Sequence, residues 1–544
     1  MSSIRNGLAC SVLLAGAAVP PATEPSSPFH FVDIGTQAGL TAPTWCGRGD
    51  KPHLLESGGT GLAFLDYDTD GDLDLYVVNG WRLEGTTVVE RGSNHLYRNR
   101  GDGRFDDVTT EAGVGDDNWG TGVAVGDPDG DGDPDIFVSN FGPDVLYLND
   151  GDGTFSVASD APSIDGWSAG AAFFDADGDG DLDLFVAAYI QATLEEVLHA
   201  RRTLDWHGMK VMPGPFGMEG AINRFFENVG GGQFRDNTQR AGLEDVGLFY
   251  SFGVVALDLD EDLDWDLYVA NDSNPNYVYR NDGRGRFQEV GLWSGAALDA
   301  EGNSQAGMGV TAADVDGDGR PEVFVTNFAE DASTMYRNVG DFVFEDVSHA
   351  WGLHAPTFAP LSWGPALEDF DLDGDLDLFI ANGHIYPQAD ADPDADTHYA
   401  QANQIFENRG GRFEDVSGDS GSGLQVRESS RGVAVGDVDG DGDLDIAVAN
   451  IDAPPTLLRN DSPRHGTWLL VDAPGALRVE VDVGKRRLVR HAIAGGSFLS
   501  ARDPRFHFGL GLAERADRVR AVWSGGEYRE HLDVKTDRLL HLGR

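Results

Sequence analysis

Short runs of alternating apolar and small or polar residues recur along the chain, each broken by a knot of acids. Residues 66–79 read DYDTDGDLDLYVVN, and the same figure returns at 127–140, 175–188, 258–271, 314–327, 369–382 and 437–450. Each copy follows a small or apolar run such as GTGLAFLD, GTGVAVGD or SAGAAFFD. Each precedes an aromatic segment of the type NHLYRNRGDGRFDDVT. Period-two alternation rich in β-branched and aromatic residues predicts strands on both sides of every acidic loop. Each repeat then supplies four short strands: the run in, the run out, the LYRN segment and the FxDVT segment. The loops start 48 to 83 residues apart, which leaves room for insertions. Four-stranded units at this spacing describe propeller blades. The predicted fold is therefore all-β, a seven-bladed β-propeller.

Strand counting also predicts how the ring closes. FxDVT-type strands occur at Phe105, Phe155, Phe234, Phe287, Phe344 and Phe413, but none follows the seventh loop. The one unused copy is FHFVDIGTQAGL at 29–40, so the first strand is expected to complete the last blade and remove an exposed edge.

Within the loops, acids fall at relative positions 1, 3, 5 and 9, with Gly usually at 6. Alternate carboxylates on a tight turn converge on one point and repel unless a cation lies between them. The candidate ligands are Asp66, Asp68, Asp70 and Asp74; Asp127, Asp129, Asp131 and Asp135; and Asp175, Asp177, Asp179 and Asp183. They continue with Asp258, Asp260, Asp262 and Asp266; Asp314, Asp316, Asp318 and Glu322; Asp369, Asp371, Asp373 and Asp377; and Asp437, Asp439, Asp441 and Asp445. Hard oxygen donors without His or Cys select Ca²⁺ over Zn²⁺ or Cu²⁺, so up to seven calcium ions are expected. The strand flanks and the missing Glu at position 12 separate these loops from EF-hands. The fourth loop departs furthest, with Leu263 in the glycine position.

Charge sharpens the picture. The 544 residues carry 92 acids against 39 Lys and Arg, a formal charge of −53. Such a surface excludes phosphate neutralisation as a mode of binding nucleic acid. Two cysteines exclude a disulfide scaffold. The acids are unevenly placed: residues 462–544 hold 15 basic and 10 acidic residues, whereas the preceding 461 hold 24 and 82. This basic module is read either as docking electrostatically on the acidic propeller or as a patch for an anionic polymer. At the other end, Arg5, the apolar run from Leu8 to Val19 and the alanines near 15–22 read as an export signal. Cleavage would leave Cys46 as the only cysteine. No later run is long enough to span a membrane. The expected organisation is a signal and linker over 1–28, a propeller over 29–461 interrupted by an insertion at 189–222, and a small β domain over 462–544. The expected location is secreted, periplasmic or extracellular.

The loops, the GxGxAxxD lead-ins and the LYRNxGxGxFxDVT strands resemble FG-GAP/VCBS repeats, the propeller repeats of integrin α-subunits. QAGMGV (305–310), ANGHIYP (381–387), WHGMKVMPGPFG (206–217) and GGSFLSARDPRFHFGLG (495–511) are similar to the cartilage acidic protein-like family with a C-terminal ASPIC/UnbV domain. That resemblance implies a calcium propeller with a small β domain, exported and acting in adhesion or recognition. Two segments depart from the family pattern. Met212 and Pro213 stand where a cysteine is usual, and the stretch 473–481 reads short.

No HExxH, GxSxG or Walker signature is present, and carboxylates are too abundant for any pair to be diagnostic. His53, His384 and His398 fall in loops, and His207 with Met209, Met212 and Met218 falls in the insertion. The insertion reads either as a Met-padded lid or as a soft copper site, and 192–204 reads as a short helix. The leading expectation is a recognition or adhesion module for a protein or glycan. The alternative is an exported enzyme, carbohydrate-active or metal-dependent, with its site under the insertion.

Overall fold

The computed structural model describes residues 27–200, 202–243, 248–391, 397–464 and 466–544. The expected export signal lies almost wholly outside the described residues.

Strands flank every acidic loop and stack into seven antiparallel sheets, six of four strands and that of the fourth blade with a fifth strand, Ala494–Gly495, on its inner edge. Blade 1 comprises Leu62–Leu65, Asp74–Val77, His95–Asn99 and Phe105–Asp107, from the inside outwards. The inner strands of blades 2 to 7 are Trp119–Gly126, Ser168–Phe174, Tyr250–Leu257, Val310–Ala313, Ser362–Glu368 and Ser430–Gly436. They lie side by side in that order, and the seventh meets the first. The outermost strand of blade 7 is Phe31–Asp33, paired with Thr456–Asn460 so that Phe31 faces Asn460.

The small residues of the lead-ins follow from how closely the inner strands approach. A Cβ on Gly122 would stand 2.7 Å from Ala169 O, and one on Gly253 2.7 Å from Met308 O. Alanine at these positions would drive the blades apart, whatever its strand propensity.

The inner strands border a channel, and their outward-pointing backbone groups need partners. Residues 494–502, from the C-terminal module, supply them. Val310 N donates to Ser497 O (2.8 Å), Val123 N to Leu499 O (3.1 Å) and Ala501 N to Leu62 O (3.0 Å). Gly496 N donates to Val254 O (2.8 Å), and Val433 N to Ser497 Oγ (3.2 Å). Phe498 at the tip is fully buried, edge-on to Trp363 at 4.7 Å and to Phe252 at 5.6 Å.

The module itself has a three-stranded and a four-stranded sheet around one core that includes Leu469, Val479, Phe508 and Val519. The short-reading segment lies partly in the strand Ala476–Val483, in the middle of the larger sheet. The module sits on the loop end of blades 5 to 7. Arg486 bonds Asp375 (2.9 Å) and Asp373 O (2.9 Å), and Gly509 N donates to Asp369 Oδ2 (3.0 Å). His491 and His507 reach Gly319 O and Gly442 O, and Arg502 pairs with the buried Glu368. Cys46 is buried and free. Among the described residues no helix is long and apolar enough to cross a membrane.

Candidate functional site: acidic loops and an aromatic mouth

Each acidic loop joins the end of an inner strand to the start of the next strand, so all seven open on the same end of the ring. The first carboxylate of every loop accepts the N–H of the sixth residue, as Asp66 does from Gly71 (3.0 Å) and Asp437 from Gly442 (2.8 Å). The fourth loop keeps this bond, Leu263 N to Asp258 at 3.1 Å. It does so with Glu261 and Leu263 at φ of 65° and 70°, where the second loop has Gly130 and Gly132 at 77° and 99°.

The acids show a burial gradient. Position 9 (Asp74, Asp135, Asp183, Asp266, Glu322, Asp377, Asp445) is buried in every loop, and position 5 (Asp70, Asp131, Asp179, Asp262, Asp318, Asp373, Asp441) is exposed. Positions 1 and 3 range from half-buried to buried, Asp369 being fully buried. Among the described residues seven groups of metal-ligating side chains have ligand atoms within 4.8 Å of one another, among them Asp66, Asp68 and Asp70; Asp127, Asp129 and Asp135; Asp175, Asp177 and Asp179; Asp258, Asp260 and Asp262; and Asp314, Asp316 and Glu322. Burial, reinforced by neighbouring carboxylates, pushes Asp74, Asp135, Asp183, Glu322 and Asp369 up to about 8. Asp258, Asp371 and Asp437 rise to about 7 for the same reasons. Oxygens of Asp68, Asp135, Asp258, Asp260, Asp314, Asp369 and Asp439 are buried without any hydrogen-bond partner. A buried anionic oxygen left unpaired is costly, and a hard cation among several such oxygens removes that cost. The donor set therefore fits Ca²⁺.

The loops differ in their neighbours. Arg280 lies 2.8 Å from Asp260 in the fourth, and Arg337 lies 2.7 Å from Asp316 in the fifth, where Arg320 also pairs with Asp318. Arginine thus already supplies part of the positive charge in these two.

One constant residue has no role in the sequence reading. The Asn that ends each third strand, the N of LYRN, binds two loops at once. Its N–H donates to the position-9 carboxylate of its own blade, as from Asn99 to Asp74 (2.7 Å) and from Asn281 to Asp266 (2.9 Å). Its amide donates to the position-2 carbonyl of the preceding loop: Asn149 to Tyr67, Asn228 to Pro128, Asn281 to Ala176, Asn338 to Leu259, Asn408 to Val315 and Asn460 to Phe370. Asn99 to Val438 O (2.8 Å) carries this relay from blade 7 to blade 1. The signal was the fixed place of Asn after the aromatic strand.

The opposite end is built from the insertion. Its helix is shorter than the segment read as helical: Leu194–His199, started by a Thr193–Glu196 capping box. A hairpin follows, Leu204–Trp206 with Met209–Val211, turned by His207 and Gly208 at positive φ. The hairpin covers the mouth. Trp206 stands 4.9 Å from His384 and 5.4 Å from Tyr386, and Tyr386 OH donates to Met212 O (2.9 Å). Beneath it lies a cavity of about 450 Å³ lined by residues that include Tyr189, Trp206, Met212, Phe252, Asp272, Asp331, Trp363 and Tyr386.

His384 is fully buried beside this cavity, with Nδ1 accepting from Tyr386 N (3.0 Å), and burial lowers it to about 3. It is a neutral, packed imidazole. His207 pairs with Glu330 (3.1 Å), while Met212 Sδ accepts from Gly214 N (3.3 Å). These contacts fit a packed lid. His53 stands at the N-cap position of a short 3-10 turn with its N–H donating to Glu56 (2.9 Å), and His398 lies 3.4 Å from Asp390.

Seven blades carrying acidic hairpin loops, with a small β module docked on the loop end, define a repeat β-propeller. The FG-GAP-like repeat pattern matches residues 66–138, 127–186, 258–325, 314–380 and 389–448, and the ASPIC and UnbV pattern matches 471–544. The chain belongs to the FG-GAP-like repeat family and carries an ASPIC and UnbV domain. Cartilage acidic protein 1 of Homo sapiens is 26% identical over 283 residues, 48% of this chain and 39% of that protein. The Xenopus tropicalis protein is 25% identical over the same length, 40% of its own. The match thus spans about two fifths of these curated relatives. Among solved structures, an Agrocybe aegerita lectin recognising non-reducing terminal N-acetylglucosamine gives a TM-score of 0.39 at 16% identity, covering 72% of this chain and 88% of that one. The Vibrio cholerae biofilm matrix protein Bap1 gives 0.31 at 12%, covering 93% and 76%. Scores this low carry no functional argument.

Proposed function

We propose that this protein is an exported, calcium-loaded propeller that recognises a protein or glycan partner, with Ca²⁺ as a structural ion. The observation that supports it is the set of buried, unpartnered carboxylate oxygens in the loops. In each loop positions 1, 3, 5 and 9 would hold the ion. The ion supplies positive charge that the chain lacks there, and the residues of each loop fix its place. Affinities of about 10⁻⁴–10⁻³ M, those of extracellular modules, suit a structural ion better than a sensor. Family membership and the likeness to cartilage acidic protein 1 support a place outside the cell and a role in recognition.

The chemistry at the mouth favours binding over catalysis. Its carboxylates are held by neutral donors, and rings make up much of its lining. Equilibrium dialysis followed by elemental analysis tests the ion count. Near seven Ca²⁺ per chain is expected at about ten times the upper dissociation constant, roughly 10 mM calcium, with the fourth loop filling last; one ion or none would overturn the reading. A glycan array and a pull-down, each with and without calcium, test recognition, and the mass of the mature chain tests export.

A further inference from the structure

The cavity under the insertion contains two carboxylates that, among the described residues, form no ion pair. Asp272 is buried, and its carboxylate receives only hydroxyls, Tyr189 OH at 2.7 Å and Ser273 Oγ at 2.8 Å. Asp331 receives Gln305 Nε2 at 2.8 Å and Ala306 N at 3.2 Å. Among the described residues neither forms an ion pair. Burial raises both carboxyls above their usual range.

Among the described residues none of the nearby cations pairs with either carboxylate. Lys210 pairs with Asp205 (3.0 Å), His207 with Glu330, and Arg202 donates to Phe216 O (3.2 Å). Arg431 lies 3.9 Å from the Trp363 ring centre, its guanidinium bonded to the carbonyls of Ser57, Gly383 and Ser430 and to neither carboxylate.

The rest of the lining is aromatic and comes from several directions. Tyr189 and Phe252 stack at 3.9 Å, Trp206 and Tyr386 belong to the lid side, and Phe328 stands 6.2 Å from Tyr386. The mouth is open through the exposed Leu204 and Phe216. The volume is that of a small-molecule site. Ring faces on several sides attract a cation electrostatically, and more strongly once it is desolvated. A bare metal ion would need oxygen donors on all sides, and the rings leave no place for them.

We propose that this cavity binds a small organic cation, an alkylated ammonium on an apolar or aromatic body, its charge toward Asp272 and Asp331 and its alkyl groups against the surrounding rings. The assignment rests on reading this face as the recognition surface, whereas the calcium loops stand or fall separately, by chelation.

The test is a tryptophan-fluorescence titration of the calcium-saturated protein with benzyltrimethylammonium, since Trp206 and Trp363 line the cavity. Choline and its neutral isostere 3,3-dimethylbutan-1-ol serve as competitors. Saturable binding is expected, with the alcohol competing at least about tenfold more weakly than choline. Asp331→Asn should weaken binding about tenfold or more while the protein stays folded, its melting temperature lowered by no more than the loss of one hydrogen bond. Should that variant fail to fold, Trp206→Ala on the lid hairpin must show the same loss. Equal competition by alcohol and choline, unaltered affinity in the folded variant, or no saturable binding would each overturn the proposal. Loss of cation binding with a normal response to chelation would overturn this assignment alone.

Discussion

At the loop end of the ring, carboxylates crowd against one another and several of their buried oxygens have no partner. At the mouth, rings enclose two carboxylates whose oxygens are each bonded to a neutral donor. Both ends hold buried negative charge, yet they handle it differently. The loops crowd many carboxylates together, and side-chain cations pair with only some of them. The mouth disperses two charges within an apolar wall that holds its shape unaided. The loop end should therefore depend on solution conditions, and the mouth on packing. The segment 494–502 joins them, leaving a module that rests on the loops and turning at Phe498 against the aromatic floor.

Four perturbations bear on this contrast. Phe498→Ala removes a fully buried ring between Trp363 and Phe252 and should cost about 3–5 kcal/mol in urea unfolding. Since packing carries that end, the cost should be the same with and without calcium; a calcium-dependent cost would merge the two ends. Asn281→Ala strips the amide that binds Ala176 O and Trp265 O between adjacent loops, and about 2 kcal/mol should be lost. A loss below about 0.5 kcal/mol would remove the asparagine relay from the account.

Acid should affect the mouth through His384. Its folded pKa near 3 lies below the ordinary 6.5, so between those values the unfolded chain binds a proton that the folded chain refuses. Its contribution is complete above pH 6.5 and falls as pH drops toward 3. The stability of the wild type relative to His384→Gln should thus decline by about 1–2 kcal/mol between pH 7 and 5. A difference independent of pH would contradict the buried neutral imidazole. The smallest effect is expected at the fourth loop. Arg280→Gln leaves Asp260 without its cation and should cost about 0.5–1 kcal/mol in chelator, and less in calcium, where the ion takes over the charge. Equal costs in both would mean that no ion shares that site.

The blades were readable in the sequence because each repeats one local rule, alternation around an acidic turn. The loops were readable because carboxylate spacing on a tight turn fixes which side chains meet. What was not readable depends on how units meet. Nothing in the alternation of 494–502 places Phe498 under Trp363, since a channel exists only after seven blades have closed around it. The Asn relay was hidden for the same reason: its carbonyl partners lie one blade away, at positions 2 whose side chains vary from Tyr67 to Pro128. The insertion was overextended as a helix because 192–204 has helical composition, yet Ala200 turns extended (ψ 107°) after His199 and the chain goes on into the Leu204–Trp206 strand. The mouth was the least legible part, since Tyr189, Asp272, Asp331 and Trp363 come from four different blades and share no motif.

The central claim is that the loops hold ions the fold depends on, and thermal unfolding with and without chelator tests it most directly. A ligand that binds only the folded state stabilises it by mass action, by about 2.7 kcal/mol per site at one hundred times its dissociation constant. Removing calcium with EDTA should lower the melting temperature substantially, and added Ca²⁺ should restore it. A melting curve unchanged by EDTA would contradict the account.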